Sequence, residues 1–262
     1  MIQTRLPKLA TFILGLFFGL ALIAPLPFVV IMPGNAQDVL TKVITPSKKP
    51  SVTPTFYPGD GKIFLLSILI TNPSAYVTGF ELIYSWLRSD YAVMPRSLYY
   101  KDGRSAAAEK KIAKTEMVDS QISAKVAALN YLKKNYPQLG TAEIAPSDID
   151  ISLAKTGGPS GGLAFALGIV ELLTPENILK GRIVATTGTI DNKGRVGSIG
   201  GIDQKLFAAR EAGATIAVIP RANCQDITFA GNDLQIIAVN NLSEAFHGLI
   251  DQKIAQNLKC PA

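Results

Sequence analysis

One serine and one lysine have surroundings that suggest chemistry. Ser160 lies in Thr156-Gly-Gly-Pro-Ser-Gly-Gly162, a glycine-rich turn leading straight into the apolar run LAFALGIVELL. Glycines let the backbone approach a ligand closely and adopt conformations closed to other residues, so Gly158, Pro159 and Gly161 would shape such a turn and expose the hydroxyl. At the start of a buried helix, free N–H groups and the positive end of the dipole stabilise an anion forming on an attacked carbonyl. The same spacing equally fits a plain strand-to-helix turn with Ser160 as its N-cap.

A serine nucleophile needs a base, and the chain holds a single histidine, His247. That histidine sits in a terminal amphipathic segment with no serine motif near it in sequence and reads as a packing or surface residue. Lysine is the other candidate. With Ile202 set at zero and about 100° per residue, Leu206 falls near 40°, Ala209 near −20° and Lys205 near −60°. Lys205 is therefore at the edge of an apolar stripe. Held there without water, its amine would lose its proton more readily and could act as a base. Its stem could equally snorkel to solvent.

Other chemistries are excluded by what the 262 residues lack. Two cysteines and one histidine cannot supply four Cys/His ligands, so an ordinary structural zinc site is ruled out and neither a metal nor a cofactor is expected. Cys224 and Cys260 form either one bridge or two free thiols. No G-x-x-x-x-G-K-[ST] occurs, and the serine turn does not match G-x-S-x-G. The formal charge is +6, but residues 1–62 contribute +4, residues 63–145 +3 and residues 146–262 −1. With no Lys/Arg stripe interleaved with aromatics, nucleic-acid binding is not expected.

The elements that must position Ser160 and Lys205 alternate with short connections. Lys62 to Thr71, Ile149 to Leu153, Arg182 to Thr187, Ile216 to Ile219 and Leu234 to Val239 read as strands. Helices are expected around Phe80–Leu87, from an Asp119 N-cap to Tyr136, after Ser160, from about Asp203 to Ala212, and over Leu242–Ile250. Asp191-Asn-Lys-Gly194 is a hairpin signal. The pattern is mixed α/β, an α+β arrangement around a mixed sheet.

Ahead of this domain, residues 10–32 read ATFILGLFFGLALIAPLPFVVIM without a charge, long enough on paper to cross a bilayer. The expected organisation is a cytoplasmic stretch 1–9, a transmembrane signal anchor 10–32, a Pro-rich extended spacer 33–60 and a domain over 61–255 outside the cell membrane.

Gly157-Gly-Pro-Ser-Gly161 and, 45 residues after its serine, the lysine of Gly200-Gly-Ile-Asp-Gln-Lys205 together resemble the proteolytic domain of the Lon family. The resemblance extends through Leu206-Phe-Ala-Ala-Arg-Glu-Ala-Gly-Ala214 and covers about Gly61 to Ile250. It implies a serine endopeptidase with a Ser160–Lys205 dyad acting on proteins or peptides, and a supporting Thr187 whose hydroxyl bonds the lysine. Pro25-Leu-Pro-Phe-Val-Val-Ile-Met-Pro-Gly34 is similar to the outer end of the anchor in bacterial membrane-anchored Lon-like proteases. Those usually carry a PDZ domain, for which Asn135 to Ser147 is too short, and no AAA+ ATPase segment is present, which implies ATP-independent cleavage. Ring assembly is common in the family, so a homo-oligomer stays open. The rival expectation is a membrane-tethered binding module that keeps the fold without turnover.

Overall fold

The computed structural model describes residues 7–57, 59–100, 104–153, 157–228 and 233–261. In chain order these form α1 (Lys8–Ile23), β1 (Pro25–Leu26), β2 (Phe28–Asp38), β3 (Ile44–Pro46), β4 (Lys62–Ile70), β5 (Val77–Thr78), α2 (Gly79–Trp86), β6 (Ala92–Pro95) and α3 (Ala106–Asn135). They continue with β7 (Ile149–Ile151), α4 (Gly162–Leu173), β8 (Ile183–Thr186), β9 (Thr189–Ile190), β10 (Val196–Gly197), α5 (Ile202–Glu211), β11 (Ile216–Pro220), β12 (Gln235–Val239), α6 (Leu242–Ile250) and α7 (Gln252–Asn257). Two compact units result: Met1–Met32 with Leu69–Glu109, and Pro33–Ile68 with Lys110–Ala262.

In the larger unit β12, β11, β8 and β4 lie side by side and β2 neighbours β4. The β12·β11, β11·β8 and β8·β4 pairs are parallel, with Ile216 opposite both Val184 and Gln235. Successive side chains of a strand point to opposite faces. Ile216 and Val218 accordingly join one apolar cluster with residues of α3, α4 and α6, while Ala217 and Ile219 join another with Ile202, Leu206 and Ala209 of α5. Both faces of the sheet are covered, which is why its strands read as short continuous apolar runs. The mixed α/β expectation holds for this unit, which also contains the antiparallel pairs β3·β7 and β9·β10.

Three expectations are corrected. The apolar stretch 10–32 is not one helix. α1 ends at Ile23, and Ala24, which precedes Pro25, is extended at φ −61°, ψ 136°, as the proline ring disfavours helical backbone before it. The β-branched Val29, Val30 and Ile31 then bury themselves in β2. Sixteen helical residues rise about 24 Å, against a hydrocarbon core of about 30 Å. Among the described residues no helix is long and apolar enough to cross a membrane.

The Pro-rich stretch 33–60 is not simply an extended spacer. It completes β2 and supplies β3, whose Ile44, Thr45 and Pro46 pair with Ile151, Asp150 and Ile149, and it buries Val39, Val43 and Ile44. Finally, Asp119 is no N-cap. α3 begins at Ala106 and carries Asp119 in its interior.

In the smaller unit Phe28–Ile31 of β2 pair antiparallel with β6, and β1 pairs antiparallel with β5. Helix α2 starts on a capping box. The Glu81 N–H donates to Thr78 Oγ1 at 3.3 Å, and the Thr78 N–H donates to Glu81 Oε2 at 2.8 Å.

Candidate active site

Ser160 is the second residue before α4 and is not its cap. Gly161 holds the N-cap position and no side chain caps the helix. The Ser160 hydroxyl, half-buried, makes no hydrogen bond to any described residue, so the N-cap alternative is set aside. Thr156, the first residue of the motif, lies outside the described residues. Gly158 has φ +85°, a left-handed conformation that favours glycine. Gly161 is needed for a different reason: a Cβ there would stand 2.6 Å from Leu65 Cδ1 and 3.1 Å from the Phe165 ring.

The turn is tied down on three sides. The Gly158 N–H donates to the Ala113 carbonyl at 2.8 Å, Ser120 Oγ of α3 donates to the Pro159 carbonyl at 2.9 Å, and the Gly188 N–H donates to the Ser160 carbonyl at 2.8 Å. The N–H groups of Gly162 and Leu163 are engaged by the Pro159 and Gly188 carbonyls. Those of Ser160 and Gly161 have no hydrogen-bond partner among the described residues. Two adjacent unengaged donors beside a free hydroxyl are the parts of an oxyanion-binding turn.

Thr187 is fully buried at the end of β8. Its hydroxyl donates to the Ser160 carbonyl at 3.3 Å, so its bond goes to the serine turn and not to the lysine.

Lys205 is on α5, whose N-cap Gly201 is left-handed at φ +66°. The whole residue is 2% exposed, and burial pushes its amine down to about 7. No charged neighbour offsets that shift, and the amine forms no hydrogen bond with Ser160, Thr187 or any other described residue. The snorkelling alternative is thereby excluded. The loop feeding α5 is clamped by Asn223, which is 1% exposed: its Oδ1 accepts from the Ile199 N–H and its Nδ2 donates to the Ile199 carbonyl, both at 2.9 Å. Cys224, the next residue, is disulfide-bonded to Cys260, which resolves the thiol alternatives in favour of the bridge.

Sequence reasoning missed Ser120 and Asn223. Ser120 carried a usable signal, as a polar residue on the face of α3 that buries Met117, Ala124 and Ala127. Asn223 carried none. His247 bonds only locally, its Nδ1 lying 2.7 Å from the Ser243 carbonyl one turn earlier.

A cleft of about 610 Å³ leads to the turn. α3 contributes Lys110, Ala113, Lys114, Met117, Val118 and Gln121, and the rest of the lining is Ile151, Ser152 and Leu153 with Gly157 of the serine motif. An apolar floor with polar edges suits a peptide segment.

The fold is that of a mixed α/β domain in which Ser160 and Lys205 have no hydrogen-bond partner among the described residues, while His247 bonds within its own helix. The model of the Lon protease (S16) C-terminal proteolytic domain matches residues 104–252, more than half of the chain, and the protein belongs to that family. It is 36% identical over 129 residues to Lon protease of Aster yellows witches'-broom phytoplasma, covering 45% of this chain and 16% of that protein. With Lon protease 2 of Bacillus subtilis it shares 34% identity over 147 residues, 53% of this chain and 26% of the relative. With Lon protease of Azorhizobium caulinodans the figures are 42% over 94 residues, 34% and 11%. The chain thus spans about a quarter or less of these relatives.

Proposed function

We propose that the protein is a serine endopeptidase in which neutral Lys205 takes the proton of Ser160 while its hydroxyl oxygen attacks a peptide carbonyl. The observation that carries this reading is the desolvated Lys205 amine, at about 7, held without a hydrogen-bond partner in the same unit as an unbonded serine. Neither group has a competing partner to break, and the four rotatable bonds of the lysine stem let the amine reach the hydroxyl when a substrate enters. The N–H groups of Ser160 and Gly161 then receive the oxyanion. The Lys205 ammonium returns its proton to the leaving amine, and water releases the acyl group from Ser160 by the reverse sequence. Thr187 and Ser120 position the turn.

The substrate is an extended, accessible peptide segment laid in the cleft between α3 and residues 151–153. Cleavage without added ATP is part of the proposal. So is attachment to a membrane through α1, none of whose residues is buried. An extracytoplasmic site for the larger unit is favoured by the Cys224–Cys260 bridge, since disulfides persist in oxidising compartments.

Mass spectrometry of a denatured protein incubated with the chain tests the reading. Wild type is expected to generate new peptides without ATP. Ser160→Ala and Lys205→Ala are expected to lose at least about a thousandfold in rate, the scale of removing a nucleophile or its base, and His247→Ala to lose nothing. Full activity in Ser160→Ala, or loss confined to His247→Ala, defeats it.

A further inference from the structure

Helix α2 turns its apolar side outward. Only Gly79 and Ser85 are buried, whereas Phe80, Ile83, Tyr84 and Trp86 are exposed, with the following Leu87 at 81%. The start of α2 is fastened to the end of α1. Pro25 and Leu26 pair with Thr78 and Val77, and Gly79 lies so close to the Ala21 carbonyl that no Cβ would fit between them. One apolar helix with no buried residue therefore meets a second apolar face at a fixed joint within a single unit. Two arginines of the same unit stack on tyrosines: the Arg88 guanidinium, which also pairs with Asp90, lies 5.1 Å from the Tyr91 ring centre, and that of Arg96 lies 5.5 Å and 5.4 Å from Tyr76 and Tyr100. Tryptophan and tyrosine with cationic neighbours are the composition of a membrane–water interface, where rings sit at headgroup depth. The length of α1 points the same way. A helix of about 24 Å leaves part of the bilayer unmatched, and an adjoining amphipathic helix in the interface supplies the apolar contact that α1 lacks.

We infer that α2 is an interfacial helix lying in the headgroup layer of a lipid bilayer, with the Phe80, Tyr84 and Leu87 side against the acyl chains. This rests on the reading of α1 as lipid-embedded. Trp86 is the sole tryptophan of the chain, so the full-length protein reports on the surface directly. The experiment reconstitutes it into phosphatidylcholine–phosphatidylglycerol vesicles carrying a nitroxide quencher either near the lipid carbonyls or near the chain ends. The expected result is blue-shifted Trp86 emission, shielded from aqueous acrylamide and quenched several-fold more by the shallow label than by the deep one. Phe80→Asp with Leu87→Asp is expected to return the emission to the red while the chain still floats with the vesicles. Wild-type quenching decides the matter even where that double variant fails to fold. A chain that floats while Trp86 stays open to acrylamide and unquenched by either label overturns the inference and leaves α1 as the membrane contact. Trp86 shielded from acrylamide yet untouched by both labels assigns the face to a second copy or another protein, and also overturns it. Absence of flotation removes the reading of α1 itself.

Discussion

Helices α1 and α4 are both apolar on nearly every side, yet none of the sixteen residues of α1 is buried and all twelve of α4 are. A helix without a polar face belongs either in a protein core or in lipid: α4 lies in the core, and lipid is the place proposed for α1. In α4 the surrounding core holds the turn on which the proposed chemistry rests. Phe165 lies against Gly161, so the packing of the helix sets the turn that presents Ser160. In α1 the same composition leaves a surface that water does not favour.

That contrast can be broken or sharpened by substitution. Phe165→Ala removes a fully buried ring and is expected to cost about 3–5 kcal/mol in denaturant unfolding and to misplace the serine turn. Phe17→Ala, at a ring 72% exposed, is expected to change unfolding by less than about 0.5 kcal/mol while weakening vesicle binding. Comparable losses at both positions would show that α1 is covered by protein.

Burial acts on charge in the same manner. Lys205 is protonated in the unfolded chain up to its ordinary value near 10.5 but in the folded chain only up to about 7. The cost of burying the ammonium is therefore present in full below about pH 7, is relieved as pH rises from there towards 10.5, and is absent above. Lys205→Met is expected to be more stable than wild type by up to about 5 kcal/mol at pH 6, with the gap closing towards pH 10, as read by urea midpoints. A gap independent of pH would place the amine in water. Glu171, at the other end of α4, gives the opposite sign: burial raises its carboxyl to about 7, so its cost is absent at low pH and grows as pH rises towards 7. Ser120→Ala removes one of the two donors to the Pro159 carbonyl, leaving the Gly162 N–H, and is expected to cost about 1 kcal/mol and to lower kcat/KM about tenfold through the displaced turn. Unchanged kcat/KM would mean that the turn holds without α3.

Much of this arrangement was legible where signals are local. Ile216–Pro220, Gln235–Val239 and Leu242–Ile250 are apolar runs bounded by turns, and they fall where periodicity puts them. The first half of α3, AAAEKKIAKTEMV, was not legible, because it has no sustained apolar stripe to reveal a helix. β3 was hidden among prolines since its partner, β7, lies about a hundred residues away. Lys205 could be placed at a stripe edge from angles alone, but its burial depends on the sheet behind α5. The hydroxyl of Thr187 and the amide of Asn223 find partners 27 and 24 residues distant, which no local pattern encodes.

The most direct test of the proposed base is the rate at which a phosphonate labels Ser160 as a function of pH. A neutral Lys205 requires a single rise centred near pH 7 that disappears in Lys205→Ala. Labelling at the wild-type rate in Lys205→Ala, or a profile flat from pH 5 to 9 in the wild type, would contradict it.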